Sequence, residues 1–148
     1  MTPRIGHVHL KVRDLERAVT FYQDLLDFQV TERVGKQYAF LSGGEMHHEI
    51  ALQAVGPNAP APAPQGVGLY HTAFELPDRV QFAEAVRRLQ EHSIPYAAVD
   101  HGISWALYLN DPDGNGVEIY LDRRHTPEGT GRWAGNTFPL TDANIFAK

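Results

Sequence analysis

Apolar and polar residues change period along the chain in a fixed order. Residues 5–12, Ile5-Gly6-His7-Val8-His9-Leu10-Lys11-Val12, alternate with the two-residue period of a half-buried strand. Asp14 then stands at an N-cap position. Leu15, Ala18, Val19, Tyr22 and Leu26 follow at helical spacing, which predicts an amphipathic helix ending near Asp27. Short alternating runs at 29–32, 37–41 and 47–53 predict three strands after it.

The same order returns 64 residues later. Run 70–76 takes the place of the first strand, with His71 on His7, and Asp78 falls on Asp14. Gln81 stands three residues after Asp78, as a capping-box partner does. Phe82, Ala83, Val86 and Leu89 give a second apolar stripe, and Pro95 lies past its end. Runs 96–99, 104–110 and 116–121 complete the set, and Val117-Glu118-Ile119-Tyr120-Leu121 echoes His48-Glu49-Ile50-Ala51-Leu52. The pattern predicts two βαβββ modules, about 4–56 and 67–124, in a single domain 1–124. The Pro- and Ala-rich stretch 57–66 reads as an extended linker between them. Beyond Arg124 the periodicity stops, so 125–148 is expected as an irregular tail, with 141–148 as a short helix at its end.

Composition narrows the field. The 148 residues are enough for one domain with its own core. A formal net charge of −5 argues against nucleic acid as a main partner, because phosphate binding needs a concentrated basic surface. Without cysteine there are no disulfides, zinc–thiolate sites or thiol nucleophiles. No apolar run reaches the roughly 18 residues of a membrane helix, and charged residues follow the N-terminus almost at once. The expectation is a cytoplasmic enzyme or binding protein without a membrane partner.

The chain has eight histidines, and their positions matter more than their number. His7 and His71 occupy the same place in the two modules. If the modules pack about a pseudo-twofold axis, these positions face one cavity, and Glu118 on the last strand can add a hard oxygen ligand. Two imidazoles and a carboxylate on one face of a metal leave the opposite positions open, the facial triad suited to non-haem Fe(II) and also to Mn(II). Open positions admit a substrate, as a closed structural site does not.

Ile5-Gly6-His7-Val8-x-Leu10 with Asp14-Leu15 and Phe21-Tyr22, and Asp111-Pro112-Asp113-Gly114-Asn115-Gly116-x-Glu118 near the close, resemble the vicinal oxygen chelate superfamily over roughly residues 4–124. The resemblance implies an α+β fold whose two modules form a cupped mixed sheet around a metal site. The superfamily includes glyoxalase I, fosfomycin-resistance enzymes, metal-free bleomycin-binding proteins and type I extradiol dioxygenases, so membership leaves the reaction open. Met46-His47-His48-Glu49-Ile50-Ala51-Leu52 resembles the paired-histidine strand of the extradiol enzymes, whose second histidine is the acid–base catalyst, which here is His48. Tyr108, ten residues before Glu118, matches their substrate-bonding tyrosine. His101-Gly102-Ile103-Ser104-x-Ala106-Leu107-Tyr108 is similar to the small catechol 2,3-dioxygenases, so His101 also becomes a candidate pocket residue. Trp105 and Leu107 are expected beside an aromatic substrate. The resemblance thus implies Fe(II) held by His7, His71 and Glu118, with a small aromatic diol and O2 as substrates and a homodimer as the assembly. The repeat, however, sets Glu49 rather than His48 opposite Glu118. A regular strand turns only one of two neighbours to a cavity, and a bulge would change which. Glyoxalase I has a glutamate ligand near this place, so a glyoxalase I-like isomerase or lyase with Ni(II) or Zn(II) stays open. A metal-free binding protein of the bleomycin-resistance type is the non-enzyme alternative.

Overall fold

The computed structural model describes residues 1–147. Strand β1 (Val8–Val12), helix α1 (Leu15–Leu26) and strands β2 (Gln29–Val34), β3 (Tyr38–Ser42) and β4 (Ile50–Ala54) form the first module. The second repeats it as β5 (Thr72–Leu76), α2 (Arg79–Glu91), β6 (Ala97–Asp100), β7 (Ser104–Asn110) and β8 (Gly116–Asp122). The strands form two mixed sheets, β1-β4-β3-β2 and β5-β8-β7-β6-β9, where β9 is Phe138–Pro139. β1 pairs parallel with β4, and β5 with β8, while all other neighbours run antiparallel.

By contacts the chain divides into two compact units, 1–68 with 111–115, and 69–110 with 116–147. The linker expected at 57–66 thus falls in the first unit, and so does the β7–β8 turn. That turn is closed by its own polar groups. Asp111 Oδ1 accepts the N–H of Asp113 and of Asn115, each at 2.9 Å. Within the first unit, Asp111 Oδ2 accepts the hydroxyl of buried Tyr22 at 3.0 Å, and Asp113 Oδ1 accepts the N–H of Arg13 at 2.9 Å.

Both helices begin as their caps dictate. The Asp14 carboxylate accepts the N–H of Arg17 at 2.9 Å, and the Asp78 carboxylate that of Gln81 at 2.8 Å. Helix α1 turns its apolar stripe onto one face of its sheet, where Leu10, Val12, Leu41, Ile50 and Leu52 are buried. In the second unit Phe82, Val86 and Leu89 of α2 are buried with Leu107, Val117 and Ile119 of the sheet. The other face of each sheet is more open. It carries His9, Tyr38 and Phe40 in one unit and Ala73, Tyr108, Glu118 and Tyr120 in the other.

Much of the tail is irregular as expected and it ends in the expected short helix, but it also contributes a strand. Strand β9 adds to the edge of β6, and α3 (Asp142–Ile145) buries Ile145 beneath a Thr141 capping box. Leu140 and Ile145 supply the apolar area that a free tail would lack. Lys148, the last residue of the expected helix, lies outside the described residues.

Candidate metal centre

In the second unit, register alone gathers three of the expected residues. Glu118 of β8 stands beside Ala73 of β5 on one side and Tyr108 of β7 on the other. His71, two residues before Ala73, shares the strand's period, and its Nε2 lies 2.9 Å from Glu118 Oε2. Two donors at about 2.1 Å from one ion and at right angles to it are about 3 Å apart, so this pair has the spacing of neighbouring ligands. The His71 Nδ1 atom is buried without a hydrogen-bond partner. The imidazole nitrogen that faces the carboxylate, Nε2, makes with Glu118 Oε2 a donor pair whose chemistry fits a borderline divalent ion.

The Tyr108 hydroxyl donates to Glu118 Oε1 at 3.2 Å. Burial first, and then the Glu118 charge and this hydrogen bond, push its pKa up to about 12, so the phenol keeps its proton at neutral pH. His101 Nε2 lies 2.9 Å from the same hydroxyl. Its Nδ1 lies 3.0 Å from the Thr137 hydroxyl, and the Trp133 ring packs edge-on against the imidazole. A hollow of about 230 Å³ is lined by His71, Tyr108, Tyr70 and Asn110. The tail contacts of His101 carry no periodic signal, so sequence reasoning missed them.

In the first unit, the His7 ring lies 4.6 Å from that of His48, which also packs 5.0 Å from Phe40. His48 falls outside any strand, in the segment between β3 and β4, and therefore escapes their alternation. It joins His7, while the Glu49 carboxylate accepts the N–H of Gly43 at 2.9 Å and closes the loop. Partial desolvation, and then the neighbouring imidazoles of His7 and His47, hold the His48 pKa below the ordinary histidine value. A proton is thus easily removed from it near neutrality.

The structure therefore brings together His71, Glu118 and Tyr108 in one unit, and His7 with His48 in the other. Among the described residues no three His, Cys, Asp or Glu side chains are grouped closely enough to hold a metal. Trp105 and Leu107, expected beside the substrate, face the other way. Both are buried on the α2 side, where Trp105 meets Phe82 and the Arg123 guanidinium, because odd positions of β7 alternate away from Tyr108.

Comparison with known proteins adds the context. The family model described as the Glyoxalase/Bleomycin resistance protein/Dioxygenase superfamily matches residues 4–119. A catechol-2,3-dioxygenase of Bacillus subtilis (strain 168) is 41% identical over 80% of this chain, which spans 41% of that relative's length. A biphenyl-2,3-diol 1,2-dioxygenase of Rhodococcus globerulus is 36% identical over 86% of the chain and 68% of its own length. Among solved structures, a glyoxylase/bleomycin resistance protein/dioxygenase domain from Frankia sp. EAN1pec superposes with a TM-score of 0.70 over 84% of this chain and 96% of that one. At 22% identity, that likeness concerns the fold alone.

Proposed function

Because the chain belongs to the Glyoxalase/Bleomycin resistance protein/Dioxygenase superfamily, and its dioxygenase-named relatives reach 36–41% identity, we propose that it is an extradiol ring-cleaving dioxygenase acting on a catechol-type diol. The observation that favours this over a glyoxalase-like isomerase is the placing of His48 against His7 while the Glu49 carboxylate serves the Gly43 N–H. An isomerase with a glutamate ligand at this place would need that carboxylate, and not the His48 ring, beside His7.

His7, His71 and Glu118 would hold Fe(II), the metal suited to two imidazoles and one carboxylate with open positions. When bound, it supplies the positions on which diol and O2 meet and the path for electrons between them. His48 removes a proton from a diol hydroxyl and returns one to the oxygen formed on ring opening; its lowered pKa makes it a neutral acceptor at pH 7. Tyr108, kept protonated, donates a hydrogen bond while it steadies Glu118. His101 in turn holds the phenol in place.

The test is reconstitution with Fe(II) in the absence of air, then catechol, then oxygen. Wild type should form a yellow ring-opened product, and His48→Ala should lose about 10²–10⁴-fold in kcat, the usual contribution of a general acid–base group. Protein that holds one equivalent of metal yet yields no such product would overturn the reading.

A further inference from the structure

The open face of the first unit carries polar contacts that the chemistry of His48 leaves unused. His48 Nδ1 lies 2.8 Å from His47 Nδ1. At that distance one nitrogen must donate and the other accept, so the two rings hold a single proton between them. The far nitrogen of His47, Nε2, lies 3.1 Å from Glu32 Oε2. The side chains of His47 and Glu32 are 57% and 53% exposed, which puts the outer end of this series in bulk water.

The backbone is bent to make this contact. Val30 pairs with Leu41 and Glu32 with Phe40, leaving Thr31 as an extra residue in β2. In an unbroken ladder Thr31 would oppose Phe40, and Glu32 would oppose Ala39 on the α1 side of the sheet. The bulge moves Glu32 onto the face of Phe40, where His47 stands. Arg33, now opposite Ala39, faces α1 and pairs with Glu16 at 2.6 Å. The Thr31 hydroxyl donates to the His47 carbonyl at 2.6 Å, so the bulged residue also pins the backbone of its partner. The Phe40 ring stands 6.0 Å from His47 and 5.0 Å from His48, an apolar wall that keeps the two imidazoles facing each other.

We propose that His47 and Glu32 are a proton relay joining His48 to bulk water, assembled by the β2 bulge. The proposal rests on the reading of His48 as the acid–base group. In the outward direction His48 receives the diol proton on Nε2 and passes its Nδ1 proton to His47 Nδ1. His47 releases its Nε2 proton to Glu32 or to the water around it. One proton enters the series and one leaves, both rings stay neutral, and the reverse sequence resets them. His48 can then be recharged during turnover while substrate still covers its inner side.

Two measurements test it. In steady-state ring cleavage, His47→Gln should lower kcat by about 10²-fold, near the low end of acid–base contributions. KM should hold, and free imidazole in the buffer should restore the rate while leaving wild type unaffected. Glu32→Gln should show a smaller, equally imidazole-relieved loss. An unchanged kcat in His47→Gln, or a loss that imidazole does not relieve, would overturn the relay. The second measurement needs neither metal nor substrate. Protein with 15N-labelled histidine should show through-hydrogen-bond coupling between the Nδ1 atoms of His47 and His48, absent in His47→Gln; lack of that coupling in wild type would also overturn the relay. Coupling in a wild type that holds metal but cleaves no diol would sink the dioxygenase reading instead.

Discussion

Tyr22 is fully buried, and its hydroxyl ends on the Asp111 carboxylate. Burial, and then that neighbouring charge, raise its pKa well above the ordinary value of 10. Above pH 10 the folded chain therefore keeps a proton that the unfolded chain releases, and stability falls as pH rises. Below pH 10 the contribution is complete. Tyr22→Phe should cost about 1–2 kcal/mol at pH 8, and the gap to wild type should narrow above pH 10, as followed by urea midpoints. A constant gap would mean that the phenol's proton plays no part. At the proposed metal centre, Tyr108→Phe removes the hydrogen bond to Glu118 and should weaken metal binding by about 10–100-fold. His7→Ala, His71→Ala and Glu118→Ala should each abolish retention of the ion. Metal analysis after gel filtration separates these outcomes, and a variant that still holds one equivalent would strike that residue from the ligand set.

At the scale of elements, the start of strand β8 lies against the chain entering β5. A Cβ on Gly116 would lie 2.1 Å from the Tyr70 carbonyl oxygen and 3.2 Å from the His71 Cα. Gly116→Ala must push the entry to β5 aside, and His71 moves with it. Thermal unfolding should show a loss of about 1–3 kcal/mol, together with weaker metal retention; an unaltered metal content would detach His71 from this close approach. The kind and order of the elements were legible because long apolar stripes and Asp caps are local signals, as at Asp14 and Asp78. Their limits were less so. Residues 5–7 alternate like a strand but lie before β1, whose pairing with β4 starts at Val8 and Ile50. Residues 47–49 alternate too, yet the Glu49 carboxylate on Gly43 and the Ser42 hydroxyl on the Met46 carbonyl draw them into a loop. The bulge at Thr31 depends on what lies across the ladder, which one strand's sequence does not record. For the site, repeat position picked out His7 and His71, and the family resemblance picked out His48 and Tyr108. Glu32 and Thr137 had no signal, since their partners His47 and His101 are distant in the sequence and reached through irregular backbone.

At the scale of the whole molecule, the tail is part of the second unit. Pro139 and Phe138 pair with Val99 and Asp100, and Arg79 donates to the carbonyls of Asn144 and Ile145. A chain stopped at Arg124 should lose more than the about 2–5 kcal/mol of one buried aliphatic, because Leu140 and Ile145 both leave the core and β6 becomes an open edge. Denaturation of the shortened chain would show this, and an unchanged midpoint would make the tail dispensable. Among the described residues no helix is long and apolar enough to cross a membrane. The β7–β8 turn has a consequence of another kind. Asp111 and Asp113 complete the first unit, although they are encoded inside the second. During synthesis, Tyr22 and Arg13 leave the ribosome long before the carboxylates that will satisfy them. The first half must wait unfinished while the second is made, so a premature stop at the proline-rich linker yields a fragment with its own strands and helix but without the acids that close it.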